Sequence, residues 1–145
     1  MEAIEAEIRS LISKDEDLRK RMEILQSIPG VGPVTAFAMM IDMPELGTIT
    51  NKQAASLAGL APMTRQSGAW NGHAGIRGGR ARLRHSLFMP ALVALRHNPD
   101  LKATYDALIA TGKARKVAVV AIMRKLLVLA NALLRNGHTW KPVAP

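Results

Sequence analysis

LQSIPGVGPVTAFAMMIDMPE, residues 25–45, decides the fold, because it holds two apolar segments separated only by a short turn of glycine and proline. Pro29 restricts the residue before it and has no N–H, so it ends the first helix. Gly30 and Gly32 allow backbone conformations that other residues avoid. Pro33 suits the first turn of the next helix. The stretch therefore predicts two helices joined by a tight turn.

The pattern of helix, I-P-G-V-G-P and helix resembles the helix-hairpin-helix motif. In that motif the glycine turn and the start of the second helix offer backbone N–H groups to a DNA phosphate. Such a contact positions the protein on the backbone and reads no base. Gly30 and Gly32 are therefore candidate DNA-binding residues. An ordinary αα-hairpin would show the same spacing, so both interpretations stay open.

Upstream of the turn, apolar residues recur every three or four positions, as in a heptad seam. Asp15 interrupts the series, whose members are Ile4, Ile8, Leu11, Leu18, Met22 and Leu25. We predict a helical arm over residues 1–25 and a second domain over residues 26–145. The arm either packs on its own domain or forms a short coiled coil between two copies, and periodicity alone favours neither.

Downstream, capping patterns predict further helices. Thr50 and Gln53 have the spacing of a capping box, and Asn98 is suited to cap a helix that starts at the following proline. Residues 114–135 are apolar on most sides, which predicts the buried central helix. The fold class is thus all-α: a helix-hairpin-helix-containing domain with an N-terminal coiled-coil-like helix. Residues 62–79 form its Gly/Arg-rich loop, with room for a short β-hairpin.

The basic residues concentrate in the second half of the chain. Residues 1–62 carry six Lys and Arg against nine Asp and Glu, whereas residues 63–145 carry fourteen against two. The formal net charge of the whole chain is +9. This asymmetry predicts a polyanionic partner, with nucleic acid first and a membrane surface second.

Composition also excludes several classes of function. The 145 residues include no cysteine, which rules out disulfides and thiolate metal sites. The four histidines are widely spaced and the basic half holds only two carboxylates, so we expect no metal site in this chain. Residues 1–25 are too charged for a signal peptide, and Arg124 and Lys125 interrupt the longest apolar stretch. We expect a cytoplasmic protein with no membrane contact.

RQSGAWNGHAGIRGGRARLRH, residues 65–85, is the candidate for chemistry on a phosphodiester. A serine hydroxyl attacks phosphorus only when it is activated and the phosphate oxygens are neutralised. Ser67 is the candidate nucleophile, and Gly68 behind it would let a DNA backbone approach. The candidate phosphate-binding arginines are Arg65, Arg77, Arg80, Arg82 and Arg84. Composition alone favours a turn residue over a nucleophile at position 67.

Four stretches taken together resemble the C-terminal domain of the IS110 (IS116/IS110/IS902) family of insertion-sequence transposases. They are SIPGVGPVTA, NKQAASLAGLAPMTRQSG, GGRARLRHSLFMPALVALRHNP and VVAIMRKLLVLANALL. The resemblance spans residues 26–138. Its most distinctive part is the order G-L-A-P, a short gap, S-G, then G-[GR]-x-x-[LR]-R. The heptad segment resembles the coiled coil that joins the two domains of that family.

The resemblance implies a DNA recombinase guided by a structured bridge RNA. In that family a RuvC-like domain with a DEDD set of metal ligands works with the serine domain, in an assembly of dimers. The serine of the S-G pair, here Ser67, forms a covalent phosphoserine link to DNA. Mg²⁺ is expected in the DEDD domain, which is not in this chain, so we expect no cofactor here and no recombination by this chain alone. In the bacterial cytoplasm, binding to DNA would associate it with the nucleoid.

Two other classes of function stay open at this stage. The chain is either the serine-bearing part of a recombinase or a non-enzymatic helix-hairpin-helix module that binds DNA or RNA, with Ser67 as a turn residue. A purely structural assembly domain, with its basic surface on RNA, is the third alternative.

Overall fold

The computed structural model describes residues 2–13, 15–60 and 80–141, all of them helices and short connections. Within these ranges the chain forms seven α-helices and no strand, which confirms the all-α prediction. The helices are α1 (Glu2–Ser13), α2 (Glu16–Gln26), α3 (Pro33–Asp42), α4 (Asn51–Leu57), α5 (Ala81–His97), α6 (Pro99–Ala110) and α7 (Arg115–Asn136). The predicted Gly/Arg-rich loop and its β-hairpin lie outside the described residues.

The predicted caps are confirmed. The hydroxyl of Thr50 accepts from Gln53 N, and the Gln53 side chain accepts from Thr50 N, so α4 starts in a full capping box. The Asn98 side chain accepts from the backbone N–H groups of Asp100 and Leu101, the second and third residues of α6. These bonds satisfy N–H groups that would otherwise lack a partner at a helix start. Local sequence therefore fixes where both helices begin.

α7 is the central helix of the core, as predicted. It packs against α2, α4, α5 and α6, while α3 packs against α2 and α5. Its inward face buries Ile122, Leu126 and Leu127 completely. By length and composition alone α7 could cross a membrane, yet 44% of its apolar window is buried inside this fold. A buried face in contact with four helices is what a core helix requires.

The N-terminal segment differs from the single heptad helix that we predicted, because it forms two helices. α1 ends at Ser13 and α2 starts at Glu16, with Asp15 as the N-cap of α2. The Asp15 carboxylate accepts from Asp17 N at 3.0 Å and Leu18 N at 3.2 Å. A carboxylate in an apolar seam would lack partners, whereas at a helix start it satisfies free N–H groups.

The two halves of the predicted arm have different surroundings. α2 buries Met22, Ile24 and Leu25, and Met22 and Leu25 belong to the main core. α1 packs against α2, and Ile4 on α1 is 60% exposed. Ile4 on α1 therefore faces solvent, while α2 is part of the domain.

Candidate nucleic-acid interface

The two glycines of the α2–α3 turn have different surroundings. Gly30 has φ +97°, and a Cβ added there would lie 2.7 Å from Pro90 O and 3.0 Å from Ala94 N. Its backbone thus packs closely against the middle of α5. Gly32 is the N-cap of α3, has no side-chain capping bond, and has open space where a Cβ would be. Of the two, only Gly32 lies beside a helix start with room for an anion.

The described residues stop at Leu60 and resume at Arg80. Hydrogen bonds join the helices on either side of this break, α4 and α5. Arg80 N donates to Leu57 O at 3.0 Å. The Arg84 guanidinium donates to Ala58 O at 3.1 Å. Both carbonyls belong to the end of α4, where backbone oxygens have no partner within the helix. Arginines near the start of α5 therefore join it to the end of α4, and these two helices flank segment 61–79 in the sequence.

Two of the predicted phosphate-binding arginines are paired with carboxylates from the end of α3 and its following turn. The Arg80 guanidinium donates to both carboxylate oxygens of Glu45, at 2.6 and 2.7 Å, and to Asp42 O at 2.7 Å. Arg82 donates to Asp42 Oδ1 through two nitrogens, at 2.9 and 2.5 Å. Two-nitrogen contacts of this kind are among the stronger ion pairs.

The two ion pairs differ in their exposure. The side chains of Arg80 and Glu45 are each 33% exposed, whereas the Arg82 side chain is 78% exposed over an Asp42 side chain that is only 9% exposed. Hydrogen bonds from Arg80 lower the pKa of the Glu45 carboxyl to about 2. Hydrogen bonds to Glu45 and Asp42 raise the pKa of the Arg80 and Arg82 guanidinium groups respectively. The Arg80 pair thus fixes the start of α5, and Arg82 keeps most of its surface open to solvent.

The remaining predicted site residues lie outside the described residues. They are the candidate nucleophile Ser67 and its neighbours Arg65, Gly68 and Arg77. Their assignments stay predictions, as does the helix-hairpin-helix interpretation. Within residues 2–13, 15–60 and 80–141, no group of three or more His, Asp or Glu side chains could hold a metal ion. These described residues therefore do not fit Mg²⁺.

Asn131 is a buried polar residue that sequence reasoning missed. Its side chain accepts from Gly47 N at 2.7 Å and donates to Ile49 O and Asn51 Oδ1, at 2.9 and 2.8 Å. These bonds join the C-terminal half of α7 to the connection before α4 and to the first residue of α4, and hence position that helix. The available signal in the sequence was this single amide within the apolar pattern of α7. A polar side chain buried there requires hydrogen-bond partners, so it indicates a tertiary contact.

A helical domain with this arginine-rich helix start and acid-poor second half is typical of proteins that act on nucleic acid. Comparison with known proteins narrows this class. The chain belongs to the family described as Transposase IS116/IS110/IS902, whose family model matches residues 22–106.

Curated relatives agree with this membership. The chain is 32% identical, over 99% of its length, to an uncharacterized 43.6 kDa protein of insertion element IS110 from Streptomyces coelicolor. It is 33% identical, over 94% of its length, to the pilin gene-inverting protein of Moraxella bovis. It is 30% identical, over 85% of its length, to an uncharacterized 42 kDa protein of insertion element IS900 from Mycobacterium paratuberculosis. The chain spans 35%, 44% and 32% of the length of these three relatives.

Proposed function

We propose that this chain is the serine-bearing part of a DNA transposase or recombinase, with Ser67 as the nucleophile on a DNA phosphodiester. The observation that carries the proposal is the joining of α4 and α5, which flank in the sequence the segment 61–79 that contains Ser67. Arg80 N bonds to Leu57 O at 3.0 Å, and the Arg84 guanidinium bonds to Ala58 O at 3.1 Å. The end of α4 and the start of α5 therefore lie together beside the guanidinium groups of Arg80 and Arg84, and such groups stabilise the charge of a reacting phosphate.

The reaction conserves the phosphodiester. The Ser67 hydroxyl oxygen forms a bond to phosphorus, and the bond from phosphorus to one sugar oxygen breaks. The hydroxyl proton is transferred, in net, to the departing sugar oxygen, and the product is a serine phosphodiester with a free DNA hydroxyl. Attack by the hydroxyl of another strand on this link reverses the first step, which joins new DNA ends without an external energy source.

The proposed partners follow from the family. DNA is the substrate, a structured bridge RNA pairs donor and target, and a DEDD domain that binds Mg²⁺ supplies the second half of the active site. The name pilin gene-inverting protein describes a relative that inverts a gene. Inversion requires breaking and rejoining strands, which agrees with a covalent intermediate that conserves the bond.

We also propose that α1 joins two copies of the protein. Ile4 is 60% exposed, and the seam of which it is part continues along α1. Burying an exposed isoleucine in a partner seam contributes about 1.5–3 kcal/mol. Sedimentation should show a dimer that Ile4→Asp dissociates. A monomer in the unsubstituted protein at micromolar concentration would contradict this pairing.

Substitution of the serine tests the catalytic proposal. In a protein that carries the DEDD domain, Ser67→Ala should abolish strand exchange and the covalent protein–DNA adduct, because alanine has no oxygen to attack phosphorus. The matched control is Ser56→Ala, which removes the hydroxyl of an exposed serine on α4. The control should keep both activities near the unsubstituted level.

Two outcomes separate this proposal from the non-enzymatic alternative. Strand exchange at the unsubstituted rate in Ser67→Ala would exclude the serine as nucleophile and leave a binding module. The open N-terminus of α3 at Gly32 favours that module on its own, since a helix start binds phosphate without any catalytic serine. Loss of the adduct with DNA affinity unchanged would support catalysis.

A further inference from the structure

The structure divides the cations of the basic half by what they contact. Arg80, Arg82 and Lys102 pair with carboxylates, and the guanidinium groups of Arg84 and Arg135 donate to backbone carbonyls. These charges are at least partly engaged by groups of the protein. Cations other than the arginines at the start of α5 are therefore also candidates for binding phosphate.

A second group of cations lies along α7 and the residue pair before it. The group consists of Lys113, Arg115, Lys116, Arg124 and Lys125, which we call the α7 cation group. Four of the five are exposed, and Arg124 is half-buried. None forms an ion pair with a carboxylate of the residues that the structure describes. Their charge is thus uncompensated at close range.

The acids on neighbouring helices do not neutralise the α7 cation group. α4 and α5, which pack on α7, contain no Asp or Glu. On α6, Asp106 pairs with Lys102, and on α2, Glu16 and Glu23 pair with Arg19. The other acids of these two helices, Asp100 and Asp17, form no ion pair with the α7 cation group. The sequence contains no acidic residue after Asp106. The surface around Lys113, Arg115 and Lys116 therefore has no carboxylate within ion-pair distance among the described residues.

Two of these cations lie at the start of α7, where positive charge destabilises a helix. Arg115 and Lys116 occupy the first turn of α7, which contains no acidic residue, and the N-cap Ala114 makes no side-chain capping bond. Positive charge near a helix start is unfavourable by about 0.3–1 kcal/mol, because it repels the positive end of the helix dipole. No contact within the described residues offsets this cost, whereas a bound anion would.

The outward face of α7 also limits the kind of partner. Small or medium residues lie between its cations, among them Ala121 and Val128, and the inward face is occupied by the core. The helix contains no aromatic side chain on which an unpaired base could stack. Its leucines and Ile122 are buried or half-buried, and Val117 is its one exposed large apolar side chain, so the helix offers a bilayer only a single valine to insert.

We propose that the exposed members of the α7 cation group at the start of the helix, Lys113, Arg115 and Lys116, are a second nucleic-acid contact, which binds the phosphodiester backbone of a duplex without reading its sequence. This inference rests on the proposed function only for the nature of the partner. The surface is separate in sequence from segment 61–79 and from the α2–α3 turn. It would hold the duplex while chemistry takes place elsewhere on the domain.

Neutralisation of three exposed members of the group tests the proposal. In the 145-residue chain, the triple variant Lys113→Gln, Arg115→Gln and Lys116→Gln should lower the slope of log affinity against log salt by about 2–3. Affinity should fall about tenfold or more at 0.1 M salt, equally for two duplexes of unrelated sequence. The thermal midpoint should stay unchanged or rise slightly, because the substitutions remove charge that opposes the helix dipole.

A matched control removes the same net charge from other helices. The variant Arg9→Gln, Lys20→Gln and Lys52→Gln replaces three exposed cations on α1, α2 and α4. It should change the salt slope by less than 1. Duplex DNA and duplex RNA are assayed in parallel, and the one that shows the larger slope change for the α7 variant identifies the source of the backbone.

Three results would overturn the proposal. They are an unchanged slope for the α7 variant on both duplexes, an equal change in the control variant, and tighter binding of the unsubstituted chain to anionic phospholipid vesicles than to either duplex. Each leaves the role of Ser67 untouched, because that role is tested by the covalent adduct. Conversely, a result that excludes Ser67 as the nucleophile would not change the salt slopes that we expect for duplex binding.

Discussion

At the residue scale, the arginines near position 80 combine two tasks that sequence alone did not separate. Arg80 donates to Glu45 and to Asp42 O, and so ties the start of α5 to the end of α3. Arg82 keeps most of its side chain in solvent although it contacts Asp42. A DNA phosphate therefore has access to Arg82 at the expense of one partly exposed ion pair, whereas capture of Arg80 would release the start of the helix.

The Arg80–Glu45 pair predicts a dependence of stability on pH. The pKa of Glu45 is lowered to about 2, so the pair stabilises the fold fully above the unfolded pKa of about 4.3, and this contribution is lost as pH falls towards 2. At pH 5, Glu45→Gln should lower the free energy of unfolding by about 1 kcal/mol, as expected for a partly exposed pair.

Urea unfolding at pH 5, 4, 3 and 2 measures this effect. The difference between Glu45→Gln and the unsubstituted protein should shrink steadily and disappear near pH 2. Glu2→Gln, at the exposed start of α1, is the control and should show little difference at any pH. A Glu45→Gln difference that is as large at pH 2 as at pH 5 would contradict the ion-pair account.

At the element scale, the two glycines of the α2–α3 turn have different roles. Gly30 packs against α5, and Gly32 is the residue proposed to contact phosphate. Gly30→Ala should lower the free energy of unfolding by about 2–3 kcal/mol, because φ +97° strains a side chain and the added Cβ would meet Pro90 O. Gly32→Asp should leave it within a few tenths of a kcal/mol, since aspartate is a good N-cap in extended backbone.

Gly32→Asp also tests the predicted phosphate contact at α3. A carboxylate at Gly32 repels phosphate, so Gly32→Asp should weaken duplex binding about fivefold, equivalent to roughly 1 kcal/mol. Ala3→Asp adds the same charge on α1 and should leave affinity nearly unchanged. Equal affinity for Gly32→Asp and Ala3→Asp in a fluorescence anisotropy titration would exclude the contact at this turn.

Elements with local signals were predictable from sequence, and elements set by tertiary contacts were not. The starts of α4 and α6 follow from Thr50 and Asn98, whose side chains bond to N–H groups two or three residues away. The break before α2 was missed because Asp15 fits both a heptad interruption and an N-cap. The partners of Asn131 and Arg80 were beyond prediction, because they lie about 80 and 35 residues away along the chain.

At the scale of the whole molecule, the fold brings the acidic first half of the sequence against part of the basic second half. Asp42 and Glu45 engage Arg82 and Arg80, while the α7 cation group has no acidic partner among the residues that the structure describes. Sequence charge correctly indicated a nucleic-acid-acting family, which the match over residues 22–106 shows. It could not indicate which cations the fold leaves available, because this depends on the packing of helices.

Direct mapping of the covalent link tests the central claim. Trypsin cleaves after Arg65 and Arg77 and releases QSGAWNGHAGIR, in which Ser67 is the only hydroxyl-bearing side chain. A protein with the DEDD domain is allowed to react with its DNA, denatured, and digested with nuclease and trypsin. Mass spectrometry should find this peptide with the added mass of a nucleotide remnant on Ser67. A remnant on any other residue, or strand exchange without any protein-linked remnant, would contradict the account.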